Sequence, residues 1–499
     1  MERFISPNNL EANILKSMFI FVLVALCFFN VIYFLAMTAN PLIQSDAWYF
    51  LDINVRKWMN HGFDLRDLFI KRNVVDHAQP LNKLFLYLNF RFFNLDFRFE
   101  SLIGIAGLFS IALFFLYQFL KHLLVKSVSA FQVSAFSFAI LILTSLNATG
   151  LYTWSLVTFS FFPLAIAFGC AWLTWQFLQK QNAVLCLIFL LFSLLAIGDT
   201  AAIILWVSIF LSVVLTFRIE EMEYRKKSAI LLLTSGAFVA AIFLIVNLSF
   251  LTAGANNGSI KPSQLQLTNP YFYLDSIRII FSSSIIHGSH LTALGGFGNT
   301  AAWIIAIPIF YFYIKHFFDL IFRKRKTDKI EFLVTFILIY ASISIAAIIF
   351  GRVSEFGVSY LNQPRYLVIY QLIPFSLFIK WAFSENNSHE KQPFHLSATI
   401  SLLTVFIIYI QFFVSQAAYR SVPWVWKWHI EQTNAISKYI EDPDTPTGNC
   451  TPHSVPICKL SAEKRSELLR LLQEGNLNIF NTNFQNKYRL FIKEKGAEE

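Results

Sequence analysis

Apolar residues run along this chain in long unbroken stretches separated by short polar punctuation. A membrane helix needs about 20 consecutive apolar residues. Runs of that kind occupy residues 17–39, 101–124, 129–146, 151–178, 183–197, 199–217, 228–251, 299–318, 331–350, 364–383 and 397–416. The pattern predicts an all-α integral membrane protein of about eleven transmembrane helices. The first run is too long for the apolar core of a cleaved signal, and no small-residue cleavage site of the usual form follows it. A further apolar run at 81–93 is too short to cross and predicts an interfacial helix.

The basic residues orient these spans. Short loops carry Lys121 and Lys126, then Arg218, Arg225, Lys226 and Lys227, then Arg323, Lys324, Arg325, Lys326 and Lys329. Cytoplasmic loops are the ones enriched in Lys and Arg. The N-terminus is then cytoplasmic. Loops 40–100, 252–298 and 351–363 fall on the extracytoplasmic side, with a small C-terminal segment, 417–499. The division is a polytopic domain, 1–416, and that appendage.

Composition agrees. Of 499 residues, 56% are apolar and 14% charged, against about 25% charged in a soluble domain. The net charge of +10 is a topology signal, and nucleic acid is not an expected partner. The 18 glycines are too few to suggest a bundle built on small-residue crossings. Among the five cysteines, Cys27, Cys170 and Cys186 sit in apolar runs, while Cys450 and Cys458 form a candidate disulfide in the polar tail.

Candidate chemistry gathers in the outer loops. Ser45-Asp46-Ala47-Trp48-Tyr49-Phe50 follows the first span directly. A carboxylate among aromatics is suited to proton abstraction, and Asp is also a favoured helix N-cap. Asp76-His77-Ala78-Gln79-Pro80 follows. A cap with Pro just inside the helix accounts for Asp76 and Pro80, but not for His77 and Gln79. The later loop holds Gly351-Arg352 and Pro364-Arg365-Tyr366. A guanidinium presents a planar fork to phosphate oxygens, or snorkels to lipid headgroups. Arg278, His287 and His290 are less specific. The tail opens on Trp424, Trp426 and Trp428, an aromatic belt, or a surface for sugar stacking. Ser461, Glu463 and Gly475 then bracket a helix with Leu468, Leu469, Leu471 and Leu472 on its buried face. No metal-ligand spacing, Gly-rich phosphate loop or dinucleotide fingerprint appears, so no metal or cofactor is expected.

In layout, this chain resembles the GT-C glycosyltransferases, and most closely the bacterial multispanning members that modify surface polysaccharides. The aspartate motif at Asp46, His77 and Pro80, Arg352, and Arg365-Tyr366 carry the resemblance, as does the outer tail with its cysteines and Leu-rich helix. Two departures stand out: Ala47 where many members have a second acidic residue, and Ala78 where a basic one often follows the His. The resemblance implies a bacterial inner-membrane enzyme that moves a sugar from a polyprenyl-phosphate donor to a glycan or lipid-linked acceptor. Asp46 would be the base. Arg365, Arg352 and Tyr366 would hold the donor phosphate, and Asp76, His77, Gln79 and Trp48 would bind substrate. A polysaccharide polymerase or ligase is the alternative enzyme. A lipid-linked glycan flippase would need charged or unwound positions at mid-membrane, and few are seen.

Overall fold

The computed structural model describes residues 7–71, 77–126, 128–179, 183–216, 222–252, 269–322, 328–384, 394–444 and 457–488. Asp76, Cys450, Arg218, Arg323, Lys324, Arg325 and Lys326 lie outside them. Every regular element among the described residues is helical. In chain order the longer helices are α1 (Pro7–Thr38), α2 (Pro80–Phe92), α3 (Arg98–Val125), α4 (Ala130–Leu143), α5 (Phe161–Leu178), α6 (Ala183–Ile197) and α7 (Asp199–Thr216). They continue with α8 (Met222–Thr252), α9 (Pro270–Ser283), α10 (Phe297–Phe322), α11 (Lys329–Ile348), α12 (Leu372–Ala382), α13 (Phe394–Glu441) and α14 (Ala462–Glu474).

Among the described residues, seven helical stretches are long and apolar enough to cross a membrane: Glu11–Thr38, Arg98–Val125, Ser155–Leu178, Asp199–Thr216, Arg225–Asn247, Phe297–Phe322 and Lys329–Phe356. The chain is therefore an all-α multi-pass membrane protein. The remaining expected spans have identifiable departures. Helix α4 has 14 residues, starting at a Ser129–Gln132 capping box, and α6 has 15. Gly198, at φ +101°, then turns the chain straight into α7. The run from 364 is helical in consecutive pieces, Pro364–Tyr366, Leu367–Tyr370 and then α12 with 11 residues. Residues 397–416 lie within α13.

Two packed regions organise the molecule. In the larger, α12 lies against α4, α3 against α5, and α7 against α11. Glycine is sparse, yet it makes one close crossing here. A Cβ on Gly104 would fall 2.1 Å from the Thr158 carbonyl oxygen, and one on Gly107 2.6 Å from the Phe162 Cα. The second core joins parts that are distant in sequence. Trp48, Leu51, Val55 and Trp58 pack with Leu86 of α2, Tyr439 of α13, and Leu468 and Leu472 of α14.

The C-terminal segment is thus no free appendage. Helix α13 runs through residue 417 and Pro423 to Glu441 without a break, beside α1. Tyr419 donates to Asn30 Oδ1 (2.8 Å), the Trp426 indole to the Met37 carbonyl (2.7 Å), and the Gln432 amide to the Ile43 carbonyl (2.7 Å). Helix α14 starts at Ser461, whose hydroxyl accepts from the Lys464 N–H at 3.3 Å, as its sequence predicts. Lys464 reaches Asp52 at 2.8 Å and Arg56 pairs with Glu467. Cys458 is disulfide-bonded, while Cys27, Cys170 and Cys186 are free thiols.

Candidate functional site

Asp46 stands where the chain re-enters helical structure after α1. Residues 47–61 are helical, with a wider π turn over Leu51–Val55. Asp46 occupies the N-cap position, but its carboxylate makes no capping hydrogen bond. It lines a cavity of about 30 Å³ with Tyr49, Phe50, Ile53, Asn54, His77, Gln79 and Lys83, room for little more than one water. The spacing explains the grouping. Positions 46, 49, 50, 53 and 54 form one helical face, and 48, 51, 55 and 58 the opposite one. Trp48 belongs to the second set. It is 1% exposed in the core and does not line the cavity, contrary to its expected substrate contact.

His77 and Gln79 are carried by a segment anchored from beneath. Asp199 accepts from the Ala78 N–H at 3.1 Å and pairs with Lys71 at 3.4 Å; both side chains are buried. Lys71 also donates to Asn247 (3.1 Å). Gly198 lets the strap come close, since a Cβ there would meet the Ala78 oxygen at 2.4 Å. The loop before it is fixed by Asp67, fully buried, which pairs with Lys57 and accepts from the Trp58 indole at 3.1 Å.

The arginine cluster forms on another loop. Arg352 is exposed, in a π turn over Ile349–Val353. These two π turns are the only ones among the described residues, and such turns concentrate at functional sites. Arg365 is half-buried. Its Nη2 donates to the Tyr360 hydroxyl (2.6 Å) and the Tyr366 hydroxyl (3.3 Å), and its guanidinium lies 5.6 and 5.1 Å from the two ring centres. Its buried Nε has no hydrogen-bond partner, and no carboxylate pairs with it among the described residues. The charges of Arg365 and Arg352 both reach Tyr366.

A short segment links the two clusters. Gly150 sits against Pro364, where a Cβ would lie 3.2 Å from the proline ring, and Leu156 lines the Asp46 cavity. The Asp46 and Arg365 groups therefore abut the same stretch, 150–156.

His287 and His290 support this framework. Asn147 accepts from the His287 N–H (2.6 Å). The Asn362 carbonyl can only accept, so His287 Nε2, 2.8 Å away, donates to it. Nδ1 then accepts from the Ser289 N–H at 3.3 Å, and the ring is neutral. Burial pushes the pKa of both histidines below the ordinary 6.5. Arg278 pairs with Asp275 (2.8 Å) and Asn299 (2.6 Å).

Lys83 and Asn54 were not singled out in the sequence. Lys83 is 2% exposed and donates to the Ile70 carbonyl; a lysine inside the apolar run 81–93 was the available signal. No group of three or more His, Cys, Asp or Glu side chains able to hold a metal occurs among the described residues. No protein-family model matches the chain, and comparison with curated proteins and with solved structures returns no match.

Proposed function

We propose that this membrane protein is a glycosyltransferase that moves a sugar from a polyprenyl-phosphate donor to a glycan or lipid-linked acceptor. The observation that carries the reading is the convergence of Asp46, His77, Gln79 and Lys83 on one cavity, with a guanidinium unneutralised by any described carboxylate on the adjoining loop. In the reaction, the acceptor oxygen bonds to the anomeric carbon as the bond from that carbon to the phosphate oxygen breaks. The electron pair leaves with the phosphate. The acceptor proton passes to Asp46. Arg365, assisted by Arg352, receives the developing phosphate charge, and His77, Gln79 and Tyr366 orient the two substrates.

The cavity is too small for a sugar, so binding must part its walls. On the phosphate side the opening is cheap. Arg365 can exchange two phenol contacts, in which only the donor is charged, for bonds to a phosphate in which both partners are charged.

Charge develops mainly on the leaving phosphate, and removing one such electrostatic partner costs about 10²–10³-fold in rate. A positioned base contributes about 10²–10⁴-fold. Arg365→Ala and Asp46→Asn should therefore each cut transfer by about 10²-fold or more. The test is transfer from a radiolabelled polyprenyl-phosphate sugar by purified protein, wild type beside both variants. Full turnover by Arg365→Ala sinks the assignment of that residue. A donor panel neither consumed nor bound sinks the enzyme reading, and brings forward a polymerase, ligase or flippase.

A further inference from the structure

The two phenols that hold Arg365 are not equivalent. A guanidinium offers an anion two bidentate edges, Nε with Nη2 and Nη1 with Nη2. Nη2 belongs to both. In this protein Nη2 serves two acceptors, the Tyr360 hydroxyl at 2.6 Å and the Tyr366 hydroxyl at 3.3 Å. Nε is buried, which leaves the Nη1–Nη2 end to an anion. A phosphate bound there through both nitrogens must take Nη2 from one of the tyrosines.

Packing decides which one yields. Tyr366 is 8% exposed, and its backbone passes directly into the next helical piece, Leu367–Tyr370. Its ring stands edge-on to that of Tyr360, 6.1 Å away. Tyr360 is half-buried. On its other side is Phe356, stacked at 4.6 Å and 48% exposed. Tyr360 therefore lies toward the open side of the cluster, and Tyr366 toward the core. The backbone after Tyr360 is fixed: Tyr370 donates to the Leu361 carbonyl (3.2 Å) and His287 to that of Asn362 (2.8 Å). The part free to move is the Tyr360 side chain, by rotation off the guanidinium.

We propose that Tyr360 is a displaceable cap on Arg365. At rest its hydroxyl occupies the Nη2 donor. An incoming phosphate takes that donor, while Tyr366 stays on the guanidinium as its fixed support. Tyr360 is thus a positioning residue that acts through Arg365. The cap keeps a half-buried cation partnered when no anion is bound, and it lowers the affinity for the anion, because only the uncapped fraction of the protein is competent to bind. The two tyrosines then have opposite effects: removing the Tyr360 hydroxyl strengthens phosphate binding, and removing the Tyr366 hydroxyl weakens it. That the phosphate is a polyprenyl phosphate rests on the glycosyltransferase reading; the cap itself does not.

The test follows modification of Arg365 by phenylglyoxal in the purified protein, read by peptide mass spectrometry, with and without polyprenyl phosphate. Tyr360→Phe keeps the ring and its stack on Phe356 and removes only the acceptor. Without lipid it should raise the modification rate about tenfold, the size of one hydrogen bond to a charged group. Tyr366→Phe, with the cap still in place, should raise it far less. With lipid, Arg365 should be half-protected at about a tenfold lower concentration in Tyr360→Phe than in wild type, and at a higher one in Tyr366→Phe. Phe356→Ala, which removes the stack behind the cap, should shift protection in the same direction as Tyr360→Phe. Thermal unfolding of each variant checks that it is folded. Tyr360→Phe modified at the wild-type rate overturns the proposal. So does protection of that variant only at a higher lipid concentration than wild type, which makes Tyr360 part of the binding wall. Faster modification of Tyr360→Phe, with no protection by polyprenyl phosphate in any of the proteins, keeps the cap and sinks the donor reading.

Discussion

The two sides of the candidate site are held by different physics. The Asp46 side is pinned by buried charge: Asp199 with Lys71 beneath it, Asp67 with Lys57 within it, and the α14 leucines packed over its opposite helical face. The Arg365 side has no buried ion pair among the described residues. It is fixed by the two tyrosine hydroxyls on Arg365 and by His287 on the Asn362 carbonyl, while Arg352, Glu355 and Phe356 are exposed. Displacing a buried, paired charge is expensive. Exchanging a phenol for an anion on a guanidinium is not. The Asp46 side is therefore built to stay, and the Arg365 side to adapt.

Three measurements can break or sharpen that contrast. The largest effect should come from Asp199→Ala, which strands Lys71 in a buried site and frees the strap carrying His77 and Gln79. The loss should be about 3–5 kcal/mol, read as a lower midpoint of thermal unfolding in detergent. An unchanged midpoint would mean the anchor is ornamental. Next is Leu472→Ala, a fully buried side chain whose truncation should cost about 2–5 kcal/mol. If the C-terminal unit clamps the first loop, protease cleavage within residues 40–70 should rise in this variant while cleavage near Arg352 does not.

The smallest effect is a pH response on the other side. His287 and His290 have folded pKa values below the ordinary 6.5, so the unfolded chain binds more protons in that range. Their stabilising contribution is complete above about pH 6.5 and drains as the pH falls below it. Unfolding midpoints should drop from pH 7.5 to pH 5, and a His287→Gln, His290→Gln double variant should flatten that slope. An equal slope in the double variant would move the pH sensitivity elsewhere.

Much of the site was legible because its residues are close in sequence. Asp46, His77 and Gln79 fall on one outer loop, and the structure brings all three to one cavity. Arg365 and Tyr366 are neighbours, and they touch. Trp48 misled because an aromatic beside a candidate base invites a substrate role. The 48, 51, 55, 58 spacing assigns it to the core, and that pattern was present to be read. Nothing near Asp199 in sequence predicts its anchoring role. Its partner N–H, on Ala78, is 121 positions away. Among the described residues seven helical stretches are long and apolar enough to cross a membrane. Composition marks what is apolar, while local features such as the Ser129 cap and Gly198 set where helices start and stop.

The sequence by itself determined that this chain is helical and membrane-embedded, because a long apolar run satisfies its backbone only as a helix in lipid. It also determined where the C-terminal helix α14 begins, since a cap and its hydrogen bond are local. Only the tertiary structure decided that α13 continues past residue 417 to pack the C-terminal unit on the first loop. That outcome depends on contacts such as Gln432 with Asn40, 392 residues apart, and no local pattern encodes them. The structure likewise decided which polar groups are left unpaired, Gln411 and Ser145 among them. Satisfaction of a buried group is a property of its neighbours in space, which the order of residues does not state.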